Sequence, residues 1–376
     1  MSTTVTTTQT SQAAIFYAPG NPFGLVALPL RQPRAGEVRV RVSCCTICGS
    51  DVHTYRGHRL TPTPTVLGHE ILGVIDAIGA DQQVLDHEGI ALHVGDRITW
   101  SIAASCGDCF YCNDALPQKC EHLFKYGHEK VSDDHPLSGG LAQHCLLAPG
   151  TAIVRVPDCI SDLVACPANC ATATVAAALR MARIRAGQTV LIQGMGALGL
   201  TACAMAREMG ARYVIGCDVV QERLELGRQF GVTHTVRMGD AEGDAQLARL
   251  AKELTQGRGI DVAIELSGSR QAMQAAVPLL RIGGRYALVG AVCPTDNIVI
   301  NPEMVVRRML TILGLHNYTP DDLLTAVRFL TQHHQTYPFE QLVQGSWPLN
   351  EADAAFTYAI KHHALRVAIR PSPEYS

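Results

Sequence analysis

The stretch Gln188-Thr189-Val190-Leu191-Ile192-Gln193-Gly194-Met195-Gly196-Ala197-Leu198-Gly199 decides the fold. An apolar run predicts a buried strand over 188–193, and an Ala-, Leu- and Met-rich helix over 197–209 follows the glycines. Gly194 permits a tight turn, Gly196 lets backbone approach a pyrophosphate, and Gly199 lets helix and strand pack closely. The helix N-terminus adds unpaired N–H groups and the positive end of its dipole. A second strand over 213–217 leads to Asp218, about 20 residues on, where a carboxylate accepts from an adenosine ribose and repels a 2′-phosphate. That favours NAD over NADP, while Arg223 stands close enough in sequence to touch ribose or phosphate and leaves some NADP tolerance. A plain α/β domain with a glycine turn is the competing reading. It is disfavoured because strand, turn, helix and acid agree.

Outward from this stretch the texture is regular, with a helix over 221–230 and strands over 261–266 and 285–289. Such alternation predicts a doubly wound parallel sheet over 171–308. Both flanks read differently. Residues 37–42 alternate apolar and polar, 71–76 form a second short strand pattern, and Gly and Pro recur throughout the first flank. An amphipathic helix over 320–332 lies in the other. The simplest arrangement inserts a nucleotide domain into a β-rich domain made of 13–170 and 309–376. Residues 1–12 are Thr/Ser-rich and read as a disordered tail, and 81–93 as a polar excursion.

A chain of 376 residues with 47% hydrophobic content is long enough for two or three domains. Its net charge of −3, without a basic block, argues against nucleic acid or an anionic membrane as the main partner. No uninterrupted apolar stretch approaches about 18–20 residues, so no membrane span is expected. The first dozen residues contain neither an apolar core nor a basic residue, so a secretory signal is not expected either. The 14 cysteines beside 15 histidines are then expected in a reducing, cytoplasmic setting, where spaced thiols more often bind metal than pair.

Cys106, Cys109, Cys112 and Cys120 have the spacing of a closed tetrahedral zinc shell, which leaves no position for substrate and so reads as structural. A second constellation joins Cys48-Gly49-Ser50-Asp51-Val52-His53, Gly68-His69-Glu70 and Cys170. Cys48, His69 and Cys170 would supply three ligands and leave the fourth position open. Cys166 competes with Cys170 for the last place. Asp51 is placed to orient the His69 imidazole, and Glu70 to stand behind the metal as a supporting or transient ligand. A lone histidine would be read as a hydrogen-bonded core residue, but the paired motifs reverse that preference.

From about residue 13 to 370 these motifs together resemble the zinc-dependent medium-chain alcohol dehydrogenases. A two-cysteine, one-histidine zinc site is itself the alcohol dehydrogenase arrangement, so that reading is not independent of the resemblance. The resemblance implies a Rossmann domain inserted into a GroES-like catalytic domain. It also implies two zinc ions per chain, one catalytic and one structural, and a homodimer or homotetramer joined near 287–300. Ser50 matches the hydroxyl that takes the alcohol proton, and His53 the histidine that relays it. The 81–93 stretch departs from the family pattern as an insertion. Residues 124–129, 136–140 and 315–318 are similar to the branch associated with phosphonate catabolism.

The implied reaction is reversible oxidation of a primary or secondary alcohol to an aldehyde or ketone. A polyol or threonine-type dehydrogenase of the same superfamily is the alternative, and a non-catalytic NAD-binding protein the alternative of another class. The intact ligands and relay disfavour the latter, as they do a zinc-free quinone reductase. Ile102 is expected near the acyl pocket. Arg56, His58 and Arg59 could meet an anionic substrate, but a solvated loop is at least as good a reading; Lys125, His128 and Lys130 carry the same ambiguity. Cys44 and Cys45 read as packing residues rather than a redox pair.

Overall fold

The computed structural model describes residues 9–80 and 83–371. The described residues divide into two compact units, one of residues 9–80, 83–170, 319–331 and 339–371, the other of 171–318 and 332–338. Among the described residues no single helix is long and apolar enough to cross a membrane.

The second unit carries a six-stranded sheet, parallel throughout. Its strands are Thr189–Gln193, Tyr213–Asp218, His234–Arg237, Ile260–Glu265, Leu280–Leu288 and Thr311–Gly314. Spatially they run third, second, first, fourth, fifth, sixth, which is the doubly wound dinucleotide-binding order. Val190, Leu191 and Ile192 are wholly buried, each contributing about 1.5–3 kcal/mol of apolar transfer. The order reverses between Thr189–Gln193 and Ile260–Glu265, so the crevice for a ligand lies beyond the carboxyl end of Gln193. The sheet extends further than expected, because Thr311–Gly314 pairs with 285–288 and the unit continues to Tyr318 rather than ending at 308. Residues 289–300, where the resemblance puts the subunit junction, form no strand, and the sheet ends on Thr311–Gly314.

The first unit is mostly antiparallel. Its large sheet orders Ile153–Arg155, Arg97–Trp100, Glu70–Ile78, Val38–Thr46, Arg366–Arg370 and Val343–Pro348, with His144–Leu147 also on Val38–Thr46. Strand Arg366–Arg370, near the chain's end, thus lies directly beside the strand that leads to Cys48. A smaller sheet corrects the expected tail. Thr10–Phe16 is a strand paired with Gly24–Pro29, and Ser11 is wholly buried. Disorder is therefore wrong for residues 10–12, while residues 1–8 lie outside the described chain. The 81–93 excursion is docked rather than free from Gln83 on. Buried Asp86 accepts from Arg155 at 2.9 Å, and His87 and Glu88 meet Asp321 and Arg328 at 2.8 and 2.5 Å.

Candidate metal centres and nucleotide loop

In the first unit, ligand atoms of Cys48, His69 and Cys170 lie within 4.8 Å of one another. Each comes from the end of a different element. Cys48 caps the short helix Gly49–Tyr55, His69 precedes strand Glu70–Ile78, and Cys170 closes the 3-10 turn Cys166–Asn169. Asp51 ties two of them together, accepting from the Cys48 backbone N–H at 2.9 Å and meeting His69 Nδ1 at 3.2 Å. The imidazole therefore donates from Nδ1 and turns Nε2 toward the cluster, with Ser50 Oγ 3.4 Å from Nε2.

Two residues that sequence reasoning missed complete the frame. Wholly buried Asn169 accepts from the Ile71 N–H at 3.1 Å and donates to the His69 and Trp100 carbonyls, each at 3.0 Å. It thereby fixes the Cys170 turn against the His69 strand. Arg366 grips Glu70 with both arms at 2.7–3.0 Å and reaches Cys48 Sγ at 3.6 Å. Glu70 also accepts from Thr46 Oγ1 at 2.6 Å, so its carboxylate is committed to Arg366 and Thr46 and stands outside the ligand cluster. Cys166 is committed too, donating to the Cys44 and Glu70 carbonyls at 3.3 Å each, which leaves Cys170 as the thiol at the cluster.

The donor set suits a divalent cation. Hydrogen bonding from Cys170 and the Arg366 charge hold the Cys48 thiol well below its ordinary value, while Cys170 is raised by the same contact. Burial disfavours charge on His69, but Asp51 and Cys48 outweigh it and push the imidazole up to about 10. Protons are thus held by groups that a bound metal would claim instead. His53 is exposed, 5.9 Å from the His58 ring, and partial burial together with His58 and Arg56 lowers its pKa.

The four lobe thiols also converge within 4.8 Å. Sulfur separations of 3.4, 3.9 and 4.0 Å match the roughly 3.8 Å edge of a tetrahedron with about 2.3 Å metal–sulfur bonds. Neither helix Phe110–Asn113 nor turn Pro117–Lys119 buries a residue, so apolar packing does not order this lobe. Backbone N–H groups of Cys106 and His122 donate to Cys120 Sγ at 3.3 Å, and those of Glu121 and Cys112 pull Cys109 down to about 6. The lobe fits a cation held by thiolates.

In the second unit Gly194 has φ +94°, and a Cβ at Gly199 would collide with the Gly194 carbonyl oxygen. A Cβ at Gly196 would meet nothing, so open space lies beside the side-chain-uncapped N-terminus of helix Ala197–Glu208. Such open, unpaired N–H groups suit a phosphate-bearing anion. Asp218 accepts from the N–H groups of Met195 at 2.6 Å and Val220 at 2.9 Å, so it shapes the loop it borders. Arg223 sits half-buried on helix Gln221–Gln229.

Known proteins resemble this chain in sequence and in fold. The zinc-binding dehydrogenase family matches residues 197–332, and the alcohol dehydrogenase GroES-like domain matches 34–158. An L-threonine 3-dehydrogenase of Anaeromyxobacter sp. is 32% identical over 77% of this chain and 78% of its own. A sorbitol dehydrogenase of Halalkalibacterium halodurans is 29% identical over 93% and 96%. The crystal structure of an alcohol dehydrogenase from Thermotoga maritima superposes with a TM-score of 0.91 at 28% identity, over 96% of this chain and all of that one.

Proposed function

Because this chain belongs to the zinc-dependent medium-chain alcohol dehydrogenase family, we propose that it catalyses reversible, NAD-linked oxidation of a primary or secondary alcohol to an aldehyde or ketone. The observation that carries this reading is the convergence of Cys48, His69 and Cys170, with Ser50 Oγ beside His69 Nε2 at 3.4 Å. Cys48, His69 and Cys170 hold a catalytic zinc, and Cys106, Cys109, Cys112 and Cys120 a structural one. Gly194, Gly196 and Gly199 cradle the pyrophosphate, and Asp218 and Arg223 meet the ribose. A zinc held there would lower the pKa of a bound hydroxyl, as it lowers that of water toward about 7, and a nicotinamide would supply the hydride acceptor.

The chain's own residues do the rest. Ser50 is positioned to accept the hydroxyl proton, and His53 to carry it to solvent. A lowered pKa keeps His53 neutral, and so able to accept, below its ordinary titration range. Asp51 and Asn169 hold the ligands in register, so that a bound hydroxyl would be placed by a fixed frame.

The narrower reading is a phosphonate-bearing alcohol. The polyol or threonine-type reading draws on the sorbitol and threonine dehydrogenases among the relatives. The 14 free thiols support a reducing, cytoplasmic setting, and a homodimer or homotetramer follows the family pattern. The experiment is an NADH absorbance assay on the zinc-loaded chain with short alcohols, sorbitol, threonine and hydroxyalkylphosphonates, repeated with NADP. Turnover with zinc and NAD supports the reading. Cofactor binding without turnover of any alcohol would leave a non-catalytic binding protein.

A further inference from the structure

Two stretches far apart in sequence are zipped together beside the candidate catalytic metal centre. Thr61 Oγ1 donates to the His128 carbonyl at 3.5 Å, Thr65 Oγ1 to the Glu129 carbonyl at 2.6 Å, and the Val131 N–H to the Pro64 carbonyl at 2.8 Å. The second stretch is pinned to a metal-ligand candidate. Gly127, at φ +74°, packs so closely that a Cβ would meet the Gly68 carbonyl oxygen at 2.7 Å. The His128 ring lies 5.3 Å from the His69 ring. Lys125 and Arg59 stand at the ends of these two stretches, both half-buried. Lys125 is within electrostatic reach of Arg59 and of the Cys170 and Cys48 sulfurs.

This corner of the site collects positive charge that no carboxylate pairs among the described residues. Neither Lys125 nor Arg59 forms an ion pair among the described residues. Glu129, the carboxylate nearest in sequence, accepts from the Lys125 backbone N–H at 2.8 Å. His128 Nδ1 lies 2.8 Å from the Tyr126 carbonyl and must donate to it, so the neutral ring has only an accepting nitrogen left. Burial and the Arg59 charge lower the Lys125 ammonium to about 8, as expected of two cations held together in a partly desolvated place. Arg56, His58 and Lys130, by contrast, are exposed, and for them the solvated-loop reading fits.

We propose that Arg59 and Lys125 form an anion subsite next to the Cys48–His69–Cys170 centre, which takes a doubly charged tetrahedral oxyanion carried on the alcohol substrate. A phosphonate and a phosphate monoester share this chemistry. The guanidinium fork suits two of its oxygens and the ammonium a third. The assignment rests on the dehydrogenase reading for its substrate but not for its binding test.

That test has two arms. Calorimetric binding of methylphosphonate and of inorganic phosphate to the zinc-loaded full chain requires no turnover. Arg59→Met and Lys125→Met should each weaken it about tenfold or more, and Lys125→Arg should restore most of the loss. Zinc content and tryptophan fluorescence establish that the variants are folded. The kinetic arm compares 2-hydroxyethylphosphonate and ethylene glycol monophosphate with propan-1-ol. The ratio of kcat/KM for anionic over neutral alcohol should fall about tenfold in each Met variant, through KM, and the two anions tell phosphonate from phosphate ester. Absence of anion binding, or an unchanged ratio in folded variants, overturns the subsite. Anion binding without turnover of any alcohol overturns the dehydrogenase reading and leaves the subsite standing.

Discussion

Arg366→Met is the most informative single perturbation of the first unit. Arg366 and Glu70 are both buried, their side chains 5% and 0% exposed, with the closest contact at 2.7 Å. Removing one member of such a pair strands the other charge in a poorly solvated place, at about 3–5 kcal/mol. That is roughly two to four orders of magnitude in the folded-to-unfolded ratio. Glu70→Gln should cost a similar amount. The double variant should lose much less than the sum, because the amide introduced by Glu70→Gln can still accept from Thr46 and no charge remains. Arg366 also reaches Cys48 Sγ at 3.6 Å, so Arg366→Met should weaken zinc binding, by about 10–100-fold. Urea unfolding followed by tryptophan fluorescence suits the measurement. The chain's two tryptophans, Trp100 and Trp347, both belong to this unit, so the signal reports on it without assuming two-state behaviour of the whole chain. Running the titration with saturating zinc and again after chelation separates the ion pair from the metal. A loss below about 1 kcal/mol, or a strictly additive double variant, would refute the reasoning.

Three further outcomes follow from the same geometry. His53→Ala should lower turnover most at low pH, where hydroxide is scarce, with partial rescue by added imidazole; an unchanged pH–rate profile would exclude the relay. Asp218→Ala removes the acceptor for the Met195 and Val220 N–H groups and the charge that repels a 2′-phosphate. The NAD over NADP ratio of kcat/KM should fall at least about tenfold, and an unchanged ratio would place cofactor choice elsewhere. Gly199→Ala drives a methyl into the Gly194 carbonyl oxygen, so overpacking of about 1–3 kcal/mol should weaken NADH binding roughly ten- to hundredfold, read by fluorescence titration.

Where a pattern repeats locally, the sequence was enough. The strand–glycine–helix unit at 189–208 is specified by adjacent residues, and so are the four lobe thiols. Arg366 was not legible, because its reason lies 296 residues away at Glu70; in sequence it is only a charge opening an apolar strand. Nothing beside Asn169 in sequence marks it, because its amide joins three backbone groups from distant segments. Thr10, Ser11 and Gln12 lack apolar alternation, and become a strand because Gly24–Pro29 pairs with them and His144 meets Ser11 Oγ at 3.2 Å. Thr311–Gly314 is too short to announce itself and depends on the neighbouring edge at 285–288. Arg56, His58 and Arg59 were indistinguishable as a run of charge. Burial sets Arg59 apart from exposed Arg56 and His58, and the hydrogen bonds of Thr61 and Thr65 to the 128–129 carbonyls bring its stretch to that of Lys125.

On the proposed reading Cys170, with Cys48 and His69, holds a catalytic metal distinct from the one in the lobe. Zinc analysis of purified wild type, Cys170→Ser and Cys166→Ser, paired with turnover, tests it most directly. Wild type and Cys166→Ser should each carry about two zincs per chain and be active, and an inactive Cys170→Ser about one. A Cys170→Ser protein that keeps both zincs and turns over alcohol, or a Cys166→Ser protein that loses one, would contradict it.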